Sequence, residues 1–382
     1  MRIKIPYLIT VIISILLLYI GHRIVSFDLN LFQNFTQEHA RATVQSVIGR
    51  ELQGEDLEPF DEFDDFFSAM MGEVIVFEAE IRSGIRKGET VVAEQNISSF
   101  LLSPQREVRN GDSVLLISFG ETWFFNGYIR TNQLLVLGSI FTICIIIFGG
   151  KKGFNTLLSL SLTCAAIFLV FIPSILSGFN IYLMAGLVCI YTVIMTLLIV
   201  IGLHEKALAA CIGCISGIVI TGLVAVIMNY SLHLTGIVDE HSRFLANLPL
   251  ANPINLRAII FAGIIIGATG AIMDVAMSIS SALWELKEKG GVISVDTLFR
   301  SGINIGRDIL GSMANTLILA YIGSALSVVL IISVYSNSLM ELLNTEMIVV
   351  EILQALAGIF GILLAMPLTA FFCALLYTKK TL

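Results

Sequence analysis

Charge is scarce in this chain of 382 residues: only 13% are Asp, Glu, Lys or Arg, against about 25% in an ordinary soluble domain. With 56% apolar residues and a mean hydropathy of +0.90, a water-soluble globular protein is excluded. Disorder, which needs low hydrophobicity, is excluded too. Basic residues are outnumbered and the net charge is −7, so the basic face that nucleic-acid binding requires is missing. Cysteine is absent from the polar part of the chain. Cys144, Cys164, Cys189, Cys211, Cys214 and Cys373 all fall in apolar runs, which excludes a disulfide framework. Cys211-x-x-Cys214 has redox or metal spacing, but its small, apolar surroundings from Ala209 to Gly217 favour two packing residues. Nucleophile motifs, phosphate loops and H-E-x-x-H are lacking.

What is present is apolar and long. Eight runs approach the roughly 20 residues a spanning helix needs: about 5–21, 133–149, 155–173, 180–203, 207–228, 257–284, 309–334 and 347–377. The first has a basic start like a signal peptide. Gly21-His22-Arg23 follows it in place of a small-residue cleavage pattern, so an uncleaved anchor is expected over 1–25. Residues 22–132 hold 18 Asp or Glu against 9 Lys or Arg, marking one acidic domain on a nearly uncharged body. With the N-terminus inside, the cytoplasmic segments carry Arg2, Lys4, Lys151, Lys152, Lys206, Lys287, Lys289, Arg300, Arg307, Lys379 and Lys380. The opposite short loops carry only Arg243 and Arg257. This excess predicts cytoplasmic termini and an extracytoplasmic 22–132.

That outer domain, 26–132, reads as β. Glu73–Arg82 alternates, with Ile75, Phe77 and Ala79 on one side, and Arg86-Lys87-Gly88-Glu89 turns into Thr90–Ala93. Arg109-Asn110-Gly111-Asp112 is a turn leading into Val114–Ile117. A small barrel or sandwich is expected. Its acidic segment 51–65, with Phe60, Phe63, Phe66 and Phe67 interleaved up to 67, has the chemistry to bind cations or an envelope protein partner; a solvated loop is the blander reading.

Two spans carry polar residues into the bilayer. In the sixth, Gly263, Gly267, Gly270, Asp274, Ser278 and Ser281 are spaced by 4, 3, 4, 4 and 3, which places them on one helix face. Asp274 stands ten residues from Trp284, so about 15 Å from the inner end. An ionised carboxylate at that depth costs about 2.5–3.5 kcal/mol on the mildest scale, so it must be paired, protonated or wet. In the seventh, Asp308, Ser312 and Asn315 share a face beside Arg307, and Asn315 is expected opposite Asp274. Such a column suits passage of protons or a small cation. The bland alternative is a polar clamp between two helices. Gly306 and Gly311, like the glycines before Asp274, read as helix-packing positions.

Lesser features complete the inventory. Pro367 interrupts the last span, leaving a kink or a hinge, with Thr369 placed to help satisfy the freed carbonyl. His233, Asp239, Glu240 and His241 in the outer loop 229–256 have metal-ligand chemistry without a frame to fix it. No metal is assigned, and no cofactor is expected.

GAIMDVAMSISSALWEL (270–286) followed by SGINIGRDILGSMANTLILAYIG (301–323) strongly resembles the signature region of the YibE/F family of bacterial multi-pass membrane proteins. LSGFN (176–180) and MPLTAFF (366–372) are similar to it as well. The resemblance covers roughly 130–378 and departs at Ser312, where the family pattern has Thr. It implies a bacterial plasma-membrane protein whose outer domain is a variable attachment, and it supplies no established substrate.

The expected architecture is an all-α polytopic membrane protein of about eight helices, with a small extracytoplasmic β-rich domain after the first and a seven-helix body over 133–382. A permease for a small cation, or one coupling protons to a small solute, is the leading expectation. The bilayer and that ion or solute would be its partners. A non-transporting envelope protein is the alternative. An intramembrane aspartyl hydrolase is remote, because Gly-x-Gly-Asp is missing, so no enzyme activity is expected. With no ATPase-like domain in the sequence, pumping would need an ion gradient or another chain.

Overall fold

The computed structural model describes residues 5–26, 38–52, 73–97, 106–120, 122–248, 253–290, 293–335 and 338–378. It divides into two compact units, Phe32–Cys144 and Met1–Leu31 with Ile145–Leu382. Most of the acidic segment 51–65 lies outside the described residues.

The smaller unit holds β1 (His39–Leu52), β2 (Glu73–Ile81), β3 (Thr90–Ile97), β4 (Ser113–Phe119) and β5 (Thr122–Tyr128). They close a barrel in the order β1-β2-β3-β5-β4, antiparallel except where β3 meets β5. The architecture alone assigns no ligand. The alternation expected in β2 is observed: Ile75, Phe77, Ala79 and Ile81 are buried with Leu116 and Trp123. Both expected turns are present. Gly111 adopts φ 88°, which a side chain would resist, and the Asp112 carboxylate accepts from the Arg109 N–H at 2.9 Å. A polar side chain enters the core: buried Gln95 donates to the Arg106 carbonyl at 3.0 Å and accepts from the Val108 N–H at 2.9 Å. The loop before β4 is thereby fastened to the barrel wall.

The remaining elements are helical: α1 (Ile5–Val25), α2 (Thr131–Ala166), α3 (Ile172–Leu176), α4 (Ile181–Val200), α5 (Glu205–Ser231), α6 (Glu240–Ala246), α7 (Leu256–Gly290), α8 (Val295–Ser324), α9 (Leu326–Tyr335), α10 (Leu339–Asn344) and α11 (Glu346–Thr378). A π-helical turn, Ile167–Phe171, joins α2 to α3. Among the described residues, six helices are long and apolar enough to cross a membrane, or seven if α8 and α9, bent by 59°, form one span. The difference from the eight sequence runs lies in Thr131–Leu176, a single stretch of 46 residues that contains both the second and third. It breaks at Gly150, whose φ of 53° and ψ of −128° are not helical. A Cβ on Gly153 would strike the Ile145 carbonyl. Residues eight apart stand about 12 Å from each other along a straight helix, so the bend is sharp.

Around α7 pack α4, α5, α8 and α11. Glycines let backbones approach here. A Cβ on Gly217 of α5 would meet Ala365 at 2.7 Å and Ile272 at 2.9 Å, and one on Gly302 of α8 would meet Ala370 at 2.6 Å. The 270–286 end of α7 is pinned by a polar and aromatic cluster. Tyr377 donates to the Ser280 carbonyl at 3.1 Å, Ser280 Oγ donates to the Lys206 carbonyl at 2.8 Å, and Lys287 Nζ stands 4.8 Å from the Trp284 ring centre. At the other end Glu346 accepts from the Thr235 and Gly236 N–H groups, each at 2.7 Å. α11 runs unbroken through Pro367. The Thr369 hydroxyl donates to the Ala365 carbonyl at 2.7 Å, its own preceding turn. It therefore does not serve the carbonyl of residue 363 that the proline leaves free.

Candidate functional site

The α7 face read from the sequence is a real surface of the helix. Gly263, Gly267, Gly270, Asp274, Ser278 and Ser281 are all exposed, whereas Ile264, Ala268, Ile272, Val275, Ile279 and Leu283 are buried in the bundle. The division follows from period alone: apolar residues fill the packed arc, small and polar ones the open arc. No hydrogen bond or ion pair joins Asp274 to another described residue.

Two side chains from neighbouring helices lean over this face. The Tyr321 hydroxyl of α8 lies 2.9 Å from the position a Cβ on Gly267 would take, and the Gln354 amide of α11 lies 3.7 Å from that of Gly263. One turn along α11 from Gln354 stands Glu351. One of its carboxylate oxygens is shut off from solvent and has no hydrogen-bond partner among the described residues. Asp274 is seven residues from Gly267, about 10 Å farther along α7. The arrangement is a track of small residues with Glu351, Gln354 and Tyr321 toward one end, Asp274 next, and Ser278 and Ser281 beyond it. Tyr321, Gln354 and Glu351 escaped the sequence reading. Glu351 was legible as a lone acid in an apolar run; the meeting of Tyr321 with Gly267 had no signal in spacing.

The seventh-span residues are on the exposed side of α8. Arg307, Asp308, Ser312 and Asn315 are exposed on α8, while Leu298, Gly302 and Gly306 are buried on its packed side. The Ser312 hydroxyl donates to the Ile309 carbonyl at 2.9 Å, within its own helix. Asn315 and Asp274 are not hydrogen-bonded to each other, and neither Arg307 nor Asp308 is ion-paired among the described residues. The packing glycines also separate. A Cβ on Gly306 would collide with Met366, whereas Gly270 and Gly311 have nothing within 4 Å of that position.

The other polar groups are structural or distant. Cys211 and Cys214 are buried free thiols. Asp239 caps α6, accepting from the Ser242 N–H at 2.7 Å, and among the described residues no group of His, Cys, Asp or Glu could hold a metal. A cavity of about 820 Å³ opens beside Tyr7, Lys151, Asn155 and His204. None of its lining residues belongs to α7, α8 or α11.

Long apolar helices carrying ionisable and amide groups within their spans define a polytopic membrane protein. A family model described as YibE/F-like protein matches residues 137–379, well over half of the chain, and the chain belongs to that family. No curated protein and no solved structure matches it.

Proposed function

We propose that this chain is a plasma-membrane permease that moves a small cation, or couples protons to a small solute, along the open face of α7. The observation that supports it is the position of Asp274: a carboxylate deep in an apolar helix, exposed and without a hydrogen-bond or ion-pair partner among the described residues, partway along a face of small residues. Hydrocarbon does not solvate such a group, so it holds a proton, meets water or binds a passing cation. Exchange of one for the other is the elementary step of the route. The Tyr321 hydroxyl, the Gln354 amide and the Glu351 carboxylate add oxygen ligands of the kind that replace a cation's hydration shell. In this reading both termini are cytoplasmic and the barrel is outside, as the loop charges predict.

The test is flux into proteoliposomes across a panel of small cations, with and without an imposed pH gradient. Selective uptake above that of empty vesicles is expected. Background traces for every ion under both conditions would overturn the proposal.

A further inference from the structure

α8 carries a second open face, with a pattern of its own. Asn304, Asp308, Gly311, Asn315, Ile318 and Ile322 are spaced by 4, 3, 4, 3 and 4, and every one is exposed. The opposite side is occupied: a Cβ on Gly302 would meet Ala370 and Leu283, and Met313 and Leu317 pack on the bundle core. Alternating fours and threes keep one seam in line along a helix that supercoils left-handed with another. A lipid-facing surface has no need of that repeat, and still less of amides on it, since hydrocarbon offers them no partner.

The chemistry of the seam is self-complementary. About a two-fold axis parallel to the helix, equal positions meet. Asn304 then faces Asn304 and Asn315 faces Asn315, and an amide both donates and accepts; Asp308 also faces Asp308, a like-charge pair that needs flanking cations. Gly311 lies between them with nothing within 4 Å of a Cβ position, leaving room for close approach. The same axis brings Arg307 of one copy beside Asp308 of the other, at depths about 1.5 Å apart. Neither is ion-paired among the described residues of its own chain, whereas two turns earlier Arg300 pairs with Asp296 at 2.9 Å.

We propose that this face of α8 is where a second copy of the chain docks, in a parallel two-fold pairing along 304–322. The proposal stands apart from the transport reading, and either can fail without the other.

The test is oxidative cross-linking of the full chain in membranes, with exposed Cys144 and Cys164 changed to Ser. Ile318→Cys is expected to give a disulfide-linked dimer, and the more exposed Leu223→Cys on α5 is not. Adding Asn315→Leu to Ile318→Cys should weaken association about fivefold, the scale of one interhelical hydrogen bond in a bilayer, while insertion is unchanged. Equal cross-linking at 318 and 223, or monomer alone from a correctly inserted Ile318→Cys, would each overturn the proposal.

Discussion

The Tyr321 hydroxyl of α8 rests over Gly267 of α7, 2.9 Å from where a Cβ would begin. That single approach joins the two helices at a level where α7 has no side chain of its own. It also separates two kinds of glycine. Gly267 leaves room for a polar group; Gly306 leaves room for the body of Met366.

Alanine at these two positions therefore has different effects. Gly267→Ala meets only the far end of a flexible side chain, so melting in detergent should change little while flux falls as the hydroxyl is displaced. Gly306→Ala drives a methyl into Met366 and should cost about 1–3 kcal/mol, the range for overpacking. Thermal unfolding of both variants beside their flux checks the contrast.

Glu351 is predicted to matter for passage more than for folding. Glu351→Gln keeps the shape and removes the charge from a carboxylate that has one enclosed, unpartnered oxygen. Insertion and melting should be close to wild type, with cation uptake lowered several-fold. Uptake equal to wild type would remove Glu351 from the route.

Gln95 gives a prediction confined to the barrel. Gln95→Leu leaves the Arg106 carbonyl and the Val108 N–H without the partners they now have, at about 1–3 kcal/mol for unsatisfied buried groups. Hydrogen exchange over 106–128 in the full chain should accelerate, and flux should not change.

Deleting residues 51–65 tests the envelope-partner alternative. If passage runs along α7, flux in proteoliposomes survives the deletion. Loss of flux, with the protein still inserted, would move the function toward the outer domain.

Legibility in the sequence followed physical simplicity. Strand β2 and the Asn110-Gly111 turn were readable because alternation and turn chemistry are local. β1 was not, since its register shifts at Val44/Ser46 and Val47/Gly49 break the period that marks a strand. β5 is short and aromatic, and it pairs with β3 across the barrel, a relation no local pattern encodes. The face containing Asp274 was legible from period alone; what lies over it was not, because Tyr321 and Gln354 arrive from other helices. Asp308, Ser312 and Asn315 were likewise correctly grouped on one face. Spacing within one helix gives no rotation relative to its neighbour, so which side of α8 is packed needed the contacts of Gly302 and Gly306 to be seen.

The most direct measurement compares wild type, Asp274→Asn and Asp274→Glu for cation flux in proteoliposomes at matched protein insertion. The account predicts uptake by wild type, background for Asp274→Asn, and partial recovery for Asp274→Glu, which restores a carboxylate. Uptake by Asp274→Asn equal to that of wild type would contradict it.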